Sequence, residues 1–233
     1  MGTTRTRETG GTRIPNILSF RPNADDPLTD LRRHESECAS QGFKRVAGVD
    51  EAGRGPLAGP VVAACVILHA EFSTDGINDS KKLTAKQRDA AFDRIVCSAI
   101  AYGVGIASVD EIDSINILRA SHLAMERAMA QIVPAPDIIL VDGLPVSTLP
   151  CPHQRAIVKG DSASISIAAA SILAKVTRDR IMCDLDVEFP AYGFARHKGY
   201  SSADHLAALN THGPCKHHRR SFSPVANSLT LDL

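Results

Sequence analysis

An α/β fold is predicted for this chain: a mixed β-sheet flanked by helices, with a helical segment towards the C-terminus. Three observations point there. Three hairpin-like, Val- and Ala-rich runs come early in the chain, as expected of strands that pair with their neighbours. Helix-period and strand-period segments alternate after them, which suits a layered sheet with helices packed on it. With 233 residues and 44% hydrophobic content, the chain can bury one good core.

The elements follow in order. Residues 1–42 are rich in Thr, Arg, Asn, Asp and Pro and read as a flexible lead-in with one short helix at 28–38. A first strand is expected over 44–49 and a second over 60–68, the latter rich in Val and Ala with Ile67. Thr84 with Gln87 three residues on has capping-box spacing, so a helix runs from there towards Cys97. A third strand is expected over 100–106, weakened by Gly103 and Gly105. Ile117, Leu118, Leu123, Met125 and Met129 recur at helical spacing and predict one helix over 113–132. Short strands follow at 137–141 and 155–158, then a long helix at 162–185 whose Ala168-Ala169-Ala170 run suits close packing on the sheet. The body is therefore expected over 43–225, with a tail at 226–233 that is loosely ordered or, from its alternating Leu residues, extended.

Composition excludes some classes. The formal charge is zero, so no global basic field draws in nucleic acid, although local basic surfaces remain. Cys38, Cys65, Cys97, Cys151, Cys183 and Cys215 form no CxxC pair, which argues against a zinc site or disulfide framework and for reduced thiols. No apolar run reaches the ~18 residues of a membrane span, and the N-terminus lacks a signal-peptide core. A cytoplasmic monomer is expected.

The chemistry gathers at strand ends. Asp50 and Glu51 close an apolar run in Val46-Ala47-Gly48-Val49-Asp50-Glu51-Ala52-Gly53-Arg54-Gly55-Pro56. Adjacent acids at the mouth of a buried strand repel each other and resist leaving water, a balance that a divalent cation reverses. Asp142 and Asp161 also stand at or just past strand ends. Taken singly, each acid reads more readily as a helix cap or a solvated turn residue than as a metal ligand.

Five segments in this order resemble the type 2 ribonucleases H, the ribonuclease HII family. They are the Asp50 run, Asp79-Ser80-Lys81-Lys82-Leu83, Val141-Asp142-Gly143, Lys159-Gly160-Asp161 leading into Ser166–Lys175, and Tyr192-Gly193-Phe194 with His197-Lys198-Gly199-Tyr200. The resemblance implies a ribonuclease H-like fold. It also implies that Asp50, Glu51, Asp142 and Asp161 are the catalytic, metal-binding acids for Mn²⁺ or Mg²⁺, which would drive in-line attack of water on a phosphodiester. It further implies an endonuclease that hydrolyses the RNA strand of RNA/DNA hybrids. Cutting is expected 5′ of ribonucleotides embedded in duplex DNA, as in ribonucleotide removal and primer processing, leaving 3′-hydroxyl and 5′-phosphate ends.

Gly53, Arg54 and Gly55 match the family's substrate-reading loop, and Tyr200 matches its sugar-sensing tyrosine. Lys81 and Lys82 are candidate phosphate contacts, and Arg196, His197 and Lys198 extend that surface. The run Lys216-His217-His218-Arg219-Arg220 is the densest basic stretch and reads as a track for a duplex backbone. Ser164, Ser166 and Ser171 read as small side chains at a helix–sheet contact, not as nucleophiles. The tail has a sharper reading too, as a Leu-bearing peptide making a weak contact with a sliding clamp. Against these stand ribonuclease HIII, which carries a sizeable N-terminal domain, a non-catalytic hybrid-binding or scaffold protein, and a different metal-dependent phosphotransferase or phosphatase on a related fold.

Overall fold

The computed structural model describes residues 31–78 and 80–230. Five strands form one mixed sheet: β1 (Val46–Ala52), β2 (Val61–Leu68), β3 (Ala99–Ala107), β4 (Ile138–Asp142) and β5 (Gln154–Ile157), in the order β3-β2-β1-β4-β5. The first three pair antiparallel, whereas β1–β4 and β4–β5 pair parallel. Period-two alternation then assigns the two faces. Ala47, Val49, Val61, Ala63, Cys65 and Ile67 belong to one core, and Ala64 and Val66 to the other.

The first core is closed by α3 (Val109–Ile115) and α4 (Ile117–Met129), the second by α2 (Ala85–Ser98) and α5 (Ile165–Glu188). Thr84 and Gln87 form the expected capping box. The α5 backbone lies so close to the sheet that a Cβ on Gly48 would meet the Ser166 carbonyl carbon at 2.0 Å. A helix of small residues and a strand glycine thus make one contact surface. No helix among the described residues is long and apolar enough to cross a membrane.

Three expectations need correction. The single helix over 113–132 is two, broken at Asn116, which adopts a left-handed conformation (φ 69°) and accepts the Arg119 N–H at 3.1 Å as the cap of α4. A Ser108–Glu111 capping box starts α3, four residues earlier than the expected helix. The tail is also not extended: after α6 (Phe194–His197) and α7 (Ala203–His212), Ser223–Thr230 is helix α8 with Val225 fully buried, and residues 231–233 lie outside the described residues.

The helix expected at 28–38 runs over Arg33–Ser40 (α1), residues 28–30 lying outside the described residues. It docks on the body. Glu35 accepts bonds from the Ser164 hydroxyl (2.5 Å) and the Ser166 N–H (3.0 Å), so its carboxylate caps the N-terminus of α5. Cys38 is buried beside Ile138, Leu140 and Ile167.

Candidate active site

The parallel pairing of β1 with β4 assembles the acidic site. Val49 and Val141 are register partners, so Asp50 and Asp142, one residue further on, leave the sheet side by side. Successive side chains alternate faces. Asp50 therefore turns to α5, where Ser171 lines the same cleft, while Glu51 turns the other way, within electrostatic reach of His122 on α4. The adjacent acids wrap the end of one strand. Asp161 arrives from the turn Gly160–Ser162 that precedes α5.

All four are sheltered. Asp50 is 5% exposed, and the Glu51 and Asp161 side chains 13% and 8%. Burial, then the charges of Glu51 and Asp142, pushes the Asp50 carboxyl well above the usual carboxylate range. Burial raises Glu51 and Asp142 as well, with the neighbouring carboxylates adding to it.

Each acid is engaged by a protein donor. Arg54 pairs with Glu51 at 3.2 Å and Lys81 with Asp161 at 3.1 Å. The Gly160 N–H donates to Asp142 at 2.6 Å. Asp50 accepts the Glu51 N–H at 2.7 Å. Among the described residues, no three of these side chains close into a metal cage as they stand. The donor set nevertheless fits a divalent ion: hard carboxylate oxygens, crowded, and electrostatically uncomfortable without a cation.

Asp50, Glu51, Asp142, Gly53–Gly55, Lys81 and Tyr200 line one cleft of about 320 Å³. Asp161 flanks it through Lys81. Tyr200 is 48% exposed and faces the loop, since a Cβ on Gly55 would lie 3.7 Å from its ring. Lys82 is exposed and not part of the lining, and Asp79 lies outside the described residues. The cleft also holds Ser80, Ser171, Lys175 and Arg178. Ser171 has a larger role than a helix–sheet spacer, because it bonds Ser80 at 3.0 Å and lines the cleft beside Asp50. Ser164 is the N-cap of α5, accepting the Ile167 N–H.

The basic run at 216–220 is not a continuous surface track. Lys216 pairs with Glu188 at 2.7 Å, and His218 and Arg219 are 1% and 0% exposed. The Arg219 guanidinium donates to the carbonyls of Gly53 (2.6 Å), Arg54 (2.9 Å), Gly59 (2.8 Å) and Pro60 (3.2 Å). Five donors in a planar fork can satisfy a turn's inward carbonyls, so a surface-type residue has become an internal brace. Arg178 on α5, 1% exposed, does the same for Ala58, Pro60 and Lys198.

His218 belongs to a buried relay whose tautomers are determined. The Cys215 N–H donates to His218 Nδ1 (3.0 Å), so His218 carries its proton on Nε2 and donates to His205 Nε2 (3.0 Å). His205 then donates from Nδ1 to the Tyr200 carbonyl (2.8 Å). A second proton would set N–H against N–H. Burial and the other histidines lower His218 to about 4. Unfolded histidine binds its proton near pH ~6.5, so this contribution is present above that pH and lost as pH falls from there to about 4. We expect the stability advantage of wild type over His218→Gln to shrink across that window by on the order of 3 kcal/mol, read from urea unfolding. A pH-independent difference contradicts it.

A family model described as Ribonuclease HII matches residues 47–225. Ribonuclease HII 1 of Methylibium petroleiphilum is 59% identical over 183 residues, covering 78% of this chain and 92% of its own length. Among solved structures, ribonuclease H2 from Pyrococcus horikoshii OT3 superposes with TM-score 0.68 at 28% identity, covering 81% of this chain and 98% of that one. The PCNA:RNase HII complex from Archaeoglobus fulgidus gives 0.66 at 26%, covering 77% and 95%.

Proposed function

The chain belongs to the ribonuclease HII family, endonucleases of the ribonuclease H type, and from that premise we propose that it cuts the RNA strand of hybrids and incises 5′ of single ribonucleotides embedded in duplex DNA, leaving 3′-hydroxyl and 5′-phosphate ends. The observation that carries this reading is the shared cleft: a cluster of sheltered acids on one side, the Gly53–Gly55 loop and Tyr200 on the other.

Asp50, Glu51, Asp142 and Asp161 would hold Mn²⁺ or Mg²⁺. Bound there, such ions supply a nucleophilic water and stabilise the leaving oxygen in an in-line displacement. The protein does the rest. Lys81 and Arg54 are held beside the acids by ion pairs, and a phosphate entering the cleft would compete for both cations. The phenol of Tyr200 offers a flat face and a hydrogen-bonding tip to a sugar edge. The Ser171 hydroxyl lowers the cost of charge on Asp50 against its burial.

We expect Tyr200→Ala to lower the cleavage rate at a lone ribonucleotide by about tenfold or more, with little change in Tm because the side chain is half exposed. The rate on a continuous hybrid should fall less. Equal rates for wild type and variant at the lone ribonucleotide would remove this role from Tyr200.

We further propose a cytoplasmic monomer that makes a weak sliding-clamp contact through residues after Val225. The Archaeoglobus fulgidus relative, solved as a complex with PCNA, and the exposure of Leu229 at the end of α8 support it. A chain ending at Val225 should keep its activity on short duplexes and lose clamp binding in calorimetry. Unchanged clamp binding, or none by the intact protein, sinks the contact.

A further inference from the structure

The two buried guanidiniums, Arg178 and Arg219, lie behind the Gly53–Gly55 loop, and their hydrogen-bond acceptors are backbone carbonyls. Burying two like charges without a bonded carboxylate is costly, so the arrangement calls for a compensating role. Burial, with the charge of Arg178 adding to it, pulls Arg219 down to about 9, which leaves it charged near neutral pH.

Its bonds also set the direction of two successive peptide planes. In a trans peptide the N–H points opposite to the C=O, and the one cis bond among the described residues joins Val133 to Pro134. With the Gly53 and Arg54 carbonyls turned inward onto Arg219, the N–H groups of Arg54 and Gly55 face the other way. That side is the cleft, which the loop lines and Arg219 does not. Neither N–H donates to a protein acceptor among the described residues. Two adjacent outward amides backed by buried positive charge form a small concave donor site for an electronegative oxygen.

We infer that Arg219 is a positioning residue for ribose recognition: by gripping the Gly53 and Arg54 carbonyls it aims two neighbouring backbone amides at the 2′-oxygen and adjoining phosphate of a ribonucleotide in the cleft. This rests on reading the loop as the ribonucleotide-recognising element. Selectivity for ribose is then set from inside the protein, by a side chain that never meets the substrate. Lysine cannot replace it, because three donors on one nitrogen do not span four carbonyls.

The test is equilibrium binding by fluorescence anisotropy in EDTA, so that metal and turnover play no part. The probes are a short duplex with one central ribonucleotide and its all-DNA twin. Wild type should prefer the ribonucleotide duplex by about tenfold, the scale of one or two hydrogen bonds. Arg219→Lys should bring that ratio close to one while all-DNA binding falls less than ribonucleotide binding, since the Lys81 and Arg54 contacts to phosphate remain. A folded Arg219→Lys protein that keeps the wild-type ratio overturns the inference.

If Arg219→Lys does not fold, Phe222→Leu decides. It removes the ring on which the guanidinium rests, 5.1 Å from its centroid, so the fork loses its fixed seat against the Gly53 and Arg54 carbonyls. A reduced ratio supports the inference and a wild-type ratio overturns it. A wild-type protein that shows no preference overturns the reading of the loop itself, and the inference with it; a wild-type preference retained by the variants removes Arg219 alone.

Discussion

Asp50→Asn and Asp142→Asn proteins fold, melt above wild type in metal-free buffer, and cleave more slowly by on the order of 10³-fold or more. The thermal rise follows from the direction of the shifts. Burial and neighbouring carboxylates raise both acids above their ordinary range, so the folded state disfavours the charged form of each. Asn removes one such charge at equal size. A gain of 1 kcal/mol corresponds to about 2–4 °C in a chain of this length. Calorimetry in EDTA together with single-turnover cleavage measures both effects. Wild-type activity in either variant excludes that acid from the centre, whereas a lower Tm contradicts the electrostatic account of the site.

The second large effect is structural. Gly48→Ala should destabilise the chain by about 3 kcal/mol or more. Its new Cβ would stand 2.0 Å from the Ser166 carbonyl carbon and 2.3 Å from the Ile167 nitrogen, and these are backbone atoms of a buried helix with no rotamer to change. Displacing α5 from β1 also draws Ser171 away from Asp50, so whatever variant folds should lose activity too. Urea unfolding gives the measurement, and a change within about 0.5 kcal/mol would show that the helix rides freely on the sheet.

Strands and acids were legible in the chain for the same reason: both leave a local mark. Short apolar runs buried on both faces mark β1 and β2, and adjacent Asp50 and Glu51 at the end of an apolar run have no use in folding alone. Gly103 and Gly105 weaken the strand pattern in sequence, yet both lie in β3, where Cβ atoms would stand 2.1 and 1.9 Å from the Ala128 and Ala124 carbonyl oxygens of α4. Glycine here records a close approach, which sequence spacing does not reveal. The break at Asn116 depends on one left-handed residue inside an otherwise continuous apolar pattern. Its companion signal, Ser108 with Glu111 three positions on, was readable as a capping box.

What could not be read is the bracing. A buried Arg satisfied by carbonyls looks the same in sequence as a surface Arg, so spacing gives Arg178 no mark and makes the run at 216–220 look like a nucleic-acid track. Ser171 was likewise indistinguishable from a packing residue until its neighbours Ser80 and Asp50 were placed. At the C-terminus, alternating Leu residues suggested extension, but Pro224 in the first turn of α8 and the buried Val225 mark a helix.

One measurement tests the central claim most directly. A duplex with a single embedded ribonucleotide is incubated with the protein and Mn²⁺ or Mg²⁺, beside all-DNA and all-RNA duplexes, and the products are mapped at nucleotide resolution. The account predicts one incision, 5′ of the ribonucleotide, with 3′-hydroxyl and 5′-phosphate ends, abolished by EDTA and absent from the two controls. Cutting that persists in EDTA, or that proceeds equally on all-DNA duplex, contradicts it.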